Sequence, residues 1–223
     1  QGGSAIAVPG DVTKAEDVQK VVDAALSEYG RIDVLVNNAG VPLKQGFIDS
    51  SLEDLRRQWD TNTTSVIELT KRALPALAQS KGVVINVSSI ASRSSIPQWG
   101  VYYPTKVAVS SLSDMLRREL MQVGVRVATV EPGPFNTEFA QRAGASPDTK
   151  FGFDPTLVAT TIVDLFDRPR RLVVVPSWLR PFALIMGGLS RGLPDLIDGL
   201  FWVIAKIKQR NGVPNITVAG KKD

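Results

Sequence analysis

Short apolar runs alternate along this chain with segments whose hydrophobic residues recur every three or four positions. Residues 4–12, SAIAVPGDV, read as a strand running into a loop. Thr13 and Glu16 then form a T-x-x-E capping box for a helix with Val18, Val21, Val22, Ala25, Leu26 and Tyr29 on one face. A β-branched run, IDVLVNNAG, closes in Asn-Asn-Ala-Gly. After it, Ser50 and Glu53 cap one long helical stretch through residues 55–77. GVVINVSS at 82–89 is a buried-type strand. The helix at 101–120 places Ala108, Val109, Leu112, Met115, Leu116 and Leu120 on its inner face. VRVATVEPG at 125–133 predicts a strand, PTLVATTIVDLF a helix and RRLVVVP, ending at Pro176, a final strand.

Strands alternating with helices predict an α/β domain over residues 1–176, with a parallel sheet covered on both faces. Residues 177–223 leave the alternation and form an extension of short apolar runs broken by Pro194, Asp195 and Asp198. In open parallel sheets the functional groups gather beyond the C-terminal strand ends. Asp11, Asn37 to Gly40, Ser88 to Ser89 and Pro132 to Gly133 each follow the apolar run of a different strand.

Composition narrows the chemistry that these strand ends can carry. The chain has 223 residues, 43% of them hydrophobic, enough for one sizeable core. It holds no cysteine and no histidine, so thiolate nucleophiles, disulfides, the Ser-His-Asp triad and the usual zinc sites are excluded, and no metal is expected. A formal charge of +4 without a central basic block does not favour nucleic acid. QGGSAIAVPGD has no signal-peptide pattern, and no run of about 18 apolar residues predicts a membrane span. A cytoplasmic setting is expected, with membrane association through the extension as the variant of it.

Acid/base work must therefore fall to Lys, Tyr, Ser or carboxylates. In VYYPTK, Tyr102 and Lys106 stand at i and i+4, on one face of a helix. A phenol ordinarily titrates near ~10, and a nearby ammonium favours the phenolate. Tyr103, at i−3 from Lys106, shares a neighbouring face, so helical spacing leaves the choice of tyrosine open. Pro104 suits a first helical turn and puts both rings near the strand-end crevice. A strand-end serine can hold a substrate oxygen beside the tyrosine. Taken singly, each motif has a plainer reading: a turn for NNAG, a cap for the serines, a tolerated surface residue for Asn62.

Their joint order resembles the short-chain dehydrogenase/reductase family: GDV at 10–12, NNAG at 37–40, Asn62, NVSS at 86–89, Tyr102-x-x-x-Lys106 and EPGPFNT at 131–137. The resemblance implies a Rossmann-type, doubly wound parallel sheet and hydride transfer between NAD or NADP and an alcohol or carbonyl. It implies that Tyr102 is the acid/base, that Lys106 binds the nicotinamide ribose and lowers the tyrosine pKa, and that Ser89 positions the substrate oxygen. Asn62 would hold a water of the proton relay and interrupt its helix. Asp11 and Val12 would line the adenine pocket, Asn38 and Gly40 would support the ribose side, and Pro132, Gly133, Phe135 and Thr137 would contact the nicotinamide end. The partners implied are a small-molecule alcohol or carbonyl and further copies of the chain in a homo-oligomer.

The family's opening strand and its T-G-x-x-x-G-x-G turn have no counterpart in these residues, so the sheet is expected to be N-terminally incomplete. Either the sequence is a fragment of an ordinary enzyme, which is the favoured reading, or it is a shortened, non-catalytic binding homologue. A nucleotide-sugar epimerase or dehydratase is a further alternative, disfavoured by the short extension. The segment SLSDMLRRELMQVGVRVATVEPGPFNTEF looks like the branch acting on steroids, retinoids and other lipophilic alcohols. For the extension, a lid over the pocket or a subunit contact is preferred to peripheral membrane contact through 181–210.

Overall fold

The computed structural model describes residues 3–143 and 152–210. Four strands, β1 (Val34–Asn37), β2 (Val83–Val87), β3 (Arg126–Pro132) and β4 (Leu172–Val175), pair in the order β1-β2-β3-β4. Every pairing is parallel, with Asn37 opposite Asn86, Val87 opposite Val130 and Pro132 opposite Val175. Eight α-helices among the described residues join and follow them: α1 (Ala15–Tyr29), α2 (Leu52–Trp59), α3 (Ser65–Ser80), α4 (Tyr102–Leu120), α5 (Glu138–Arg142), α6 (Thr156–Asp167), α7 (Leu179–Gly192) and α8 (Pro194–Arg210).

Strand residues alternate between two cores, as the pleat requires. Val84 and Val127 face Val22 of α1, Ala73 and Leu77 of α3 and Leu120 of α4. Their neighbours Val83, Ile85, Ala128 and Val130 face the other way, against Leu165 of α6, Phe135 and Val175. Each sheet face is thus closed by helices, which is the Rossmann-type arrangement. All four strands point their C-terminal ends at one rim.

Several local expectations change. Residues 3–10 form no strand, and Ile6 there is 45% exposed. An extended run becomes a strand only beside another, and β1 pairs with β2 alone among the described strands. The Thr13 capping box does not form, because Thr13 Oγ1 donates to Asp11 Oδ1 at 2.8 Å and α1 begins behind Lys14. On α2 the N-cap is Ser51 rather than Ser50, its hydroxyl accepting from the Asp54 N–H at 3.0 Å. The long helical stretch divides into α2, a π-helical turn at Asp60–Thr64, and α3. On α4 the buried line is Tyr102, Thr105, Lys106, Val109, Ser113 and Leu120, whereas Met115 is exposed.

That buried line is polar because it has polar partners. Asn37 Nδ2 donates to Thr70 Oγ1 at 3.0 Å and to Asn86 Oδ1 at 2.8 Å, and Asn86 Nδ2 donates to Ser113 Oγ at 2.8 Å. A row of satisfied side chains therefore crosses under α3 and α4 and ties β1, β2 and both helices in one register. Buried polar groups without such partners would cost about 1–3 kcal/mol each.

Candidate active site

At the rim, the first turn of α4 carries Tyr102, which is buried. The turn is set by Gly100, at φ 55, where a Cβ would come within 2.7 Å of Gln58 Oε1. Gln58 fixes the same turn by accepting the Val101 N–H at 2.8 Å. One helical turn on, Lys106 brings its Nζ to 5.8 Å from the Tyr102 ring centroid. Ser89, two residues past the end of β2, lies near enough to the phenol to lower its pKa, and its hydroxyl donates to the Pro132 carbonyl at 3.5 Å. Its Oγ also accepts the Ala91 N–H at 3.1 Å, which fixes its rotamer. Tyr103 is half-buried and meets Tyr102 edge-on at 5.9 Å. Ser89 and Lys106 thus both lie beside Tyr102.

Electrostatics departs from expectation. Tyr102 is pushed up to about 12, chiefly by burial, while the nearby Ser89 hydroxyl pulls it down and Tyr103 adds a smaller upward push. Burial also brings Lys106 down, to about 8. Both charged forms lose water, and at 5.8 Å the cation does not offset that loss for the phenolate.

Lys106 makes one hydrogen bond among the described residues, to the Val87 carbonyl at 3.0 Å, and has no carboxylate partner there. A buried ammonium has three N–H groups to satisfy. The space beside it is kept clear by Gly40, where a Cβ would stand 3.8 Å from Lys106 Nζ and 3.4 Å from Asn62 Oδ1. This donor set fits the vicinal hydroxyls of a ribose.

Asn62 lies in the π turn, nearly wholly buried. Its Oδ1 accepts the Val41 N–H at 2.7 Å, and its Nδ2 donates to the Val41 carbonyl at 3.1 Å and to Thr105 Oγ1 at 3.2 Å. The side chain pins the loop after Gly40 to α4, so a relay water would have to be held by its main chain. The helix interruption expected at Asn62 takes the form of this π turn, where the main chain changes pitch.

The remaining expected residues are spread along the rim. Val12, Asn38 and Ala39 line a pocket of ≈ 150 Å³ with Val36, Ser65 and Val66. Asp11 is exposed and outside that lining; two hydrogen bonds from Thr13 hold its carboxyl below the usual range. Pro132 ends β3 with its carbonyl 3.5 Å from Ser89 Oγ, and the N–H of Gly133 after it donates to the Val175 carbonyl at 2.8 Å. Phe135 turns its ring into the core against Phe153, at 5.7 Å, so only its main chain faces outward. Thr137 is exposed at the N-cap of α5, where its hydroxyl makes no capping bond.

Sequence reasoning missed a second cluster directly below. Glu131, 1% exposed, accepts from Arg93 Nε at 3.0 Å, Arg93 Nη2 at 3.2 Å, Ser92 Oγ at 2.9 Å and Ser110 Oγ at 3.4 Å. Ser110 in turn shares a hydrogen bond with Ser88, whose hydroxyl donates to the Lys106 carbonyl at 2.9 Å. The signal was present: a carboxylate ends the apolar run VRVATVE, and an ion must find a partner there.

Comparison with known proteins agrees with this geometry. The family model for short chain dehydrogenase matches residues 1–148, and the chain belongs to that family. An uncharacterized oxidoreductase of Schizosaccharomyces pombe is 37% identical over 136 residues, which cover 60% of this chain and 58% of that protein. The chain thus spans less than two thirds of that relative's length. A ketoacyl reductase, HetN, of Nostoc is 32% identical over 216 residues, 91% of this chain and 74% of the relative. A short chain dehydrogenase/reductase of Burkholderia phymatum, solved in complex with NAD, superposes with a TM-score of 0.73 at 25% identity, covering 82% of this chain and 74% of that one.

Proposed function

We propose that this chain carries the acid/base half of an NAD(P)-dependent oxidoreductase that interconverts an alcohol and a ketone or aldehyde. The observation that carries the reading is the placement of Ser89 and the Lys106 cation, which has no carboxylate partner among the described residues, beside one buried phenol, Tyr102. The nicotinamide, when bound, supplies or accepts the hydride. Lys106 would hold the nicotinamide ribose in the space that Gly40 leaves open. The Val12 and Asn38 pocket, apolar with a polar margin, suits a heteroaromatic base.

Ser89 holds the substrate oxygen against Tyr102. In the reducing direction the Tyr102 O–H gives its proton to that oxygen, and the phenolate left behind is supported by the Ser89 hydroxyl and the Lys106 ammonium. A phenol kept protonated by burial is always charged with the proton it must donate. In the oxidising direction the phenolate must form first, so oxidation gains with pH. Asn62 supports the exchange by fixing the Val41 loop and Thr105 to α4.

A lipophilic carbonyl compound is the substrate class we favour. The Phe139 ring lies 5.4 Å from that of Tyr102, and the exposed Trp178 ring meets Phe153 at 5.7 Å. HetN, a ketoacyl reductase by name, is in keeping with this class. The test is titration with NADH and NADPH, followed by turnover of long-chain ketones and of small sugars with each. Cofactor binding with preferential reduction of the long-chain ketones is the expected result. Failure to bind either nucleotide, or preference for sugars, overturns the respective part.

A further inference from the structure

The apolar surface of α7 and α8 is far larger than packing uses. α7 docks through Leu179, Ala183 and Gly187, spaced four apart, onto the turn at Ile90–Arg93. Its opposite flank carries Trp178, Phe182 and Ile185, each at least 55% exposed. α8 rests chiefly on α7, with Ile197 and Phe201 half-buried. Leu196, Leu200, Val203 and Ile207 follow i, i+4, i+7 and i+11, a single stripe that is exposed along its length. Contiguous apolar stripes of this size on a soluble surface mark an interaction site.

Charge selects the occupant. Residues 177–210 hold Arg180, Arg191, Lys206, Lys208 and Arg210 against Asp195 and Asp198. A second copy would bring the same positive excess to the same face, whereas an anionic bilayer complements it. Arg180 and Arg191 are exposed along α7. Lys206 lies 3.8 Å over the Trp202 ring at the border of the α8 stripe, an amphipathic pair of the kind that sits at headgroup depth. Among the described residues no helix is long and apolar enough to cross a membrane, so the helices would lie in the surface rather than span it.

We propose that α7 and α8 form an interfacial anchor on anionic lipid, with the Leu196–Leu200–Val203–Ile207 stripe in the acyl boundary and Arg180, Arg191 and Lys206 among the headgroups. The anchor adjoins the mouth of the site: Leu179 packs so closely on Gly133 that a Cβ there would come within 2.6 Å of it. A bilayer-held protein would take an apolar compound directly from lipid.

The test is cosedimentation of the protein with phosphatidylcholine vesicles, alone or containing phosphatidylglycerol, with tryptophan emission followed in parallel. Binding roughly tenfold or more tighter to the anionic vesicles, weakened by salt and accompanied by a blue shift, is expected. Leu200→Asp with Ile207→Asp should abolish binding with unchanged circular dichroism and melting, since both side chains are exposed. Should that pair unfold the protein, Arg180→Glu with Arg191→Glu must still remove the preference for anionic lipid. Absence of vesicle binding overturns the proposal. So does a dimer in solution that the stripe variant converts to monomer, which would assign the face to a second copy. The readout needs no turnover, so a failure of the oxidoreductase reading would leave it standing.

Discussion

At the residue scale, the site rests on two groups that burial moves in opposite directions. Lys106, at about 8 when folded against 10.5 when unfolded, binds its proton less tightly in the fold. The unfolded chain therefore holds more protons between those values, and stability rises with pH from about 8 to 10.5. Tyr102, at about 12 against 10.0, works the other way: the unfolded phenol ionises first, and stability falls from 10 to 12. In the proposed reduction the Lys106 ammonium supports the phenolate, so kcat should decline above pH 8 while the urea midpoint still climbs toward pH 10. Parallel pH profiles of kcat and unfolding would check this crossing. Lys106→Met should raise the melting temperature and abolish turnover, because it removes a buried charge that has no carboxylate partner among the described residues. Tyr102→Phe should lower kcat by roughly 10²–10⁴-fold with the fold intact, and Tyr103→Phe should leave most activity; steady-state kinetics with melting curves distinguishes the two.

Between elements, the buried ions and amides hold strands to helices. Glu131 of β3 joins Arg93 after β2 and, through Ser110 and Ser88, the backbone of Lys106 in α4. Glu131→Ala would leave Arg93 unpaired at the edge of the core and cost about 3 kcal/mol, read as a lower urea midpoint. Arg93→Leu with Glu131→Leu should recover most of that loss, since apolar packing replaces the pair without stranding a charge. Asn62→Ala acts elsewhere. It frees the Val41 loop and Thr105, and is expected to weaken nucleotide binding and turnover more than stability. Calorimetric titration alongside melting separates those effects.

For the molecule as a whole, cooperativity should follow the ladder. β2 and β3 lie inside the sheet with both neighbours in place, and their residues Val84, Ile85, Ala128 and Val130 are wholly buried. Residues 3–10 have no ladder. Hydrogen exchange is expected to be slowest in β2 and β3 and fast in 3–10 and along α8. Mass spectrometry of the exchanged peptides measures that order directly.

The alternation of β-branched runs with 3.6-residue patterns determined by itself the parallel sheet, its four helix-covered strands and the rim formed by their C-terminal ends, because these depend on periodicity and on residues close in sequence. Motif order likewise carried the family and an interruption of the helix around Asn62. Tertiary structure alone decided the rest. It left 4–12 without a strand, since a ladder needs a neighbour that no local pattern supplies. It turned the Phe135 ring inward, and it joined Glu131 to Arg93 across 38 positions of sequence. It also left the Tyr102 phenol above its ordinary pKa, because desolvation is a property of the whole packed environment and not of the spacing within VYYPTK.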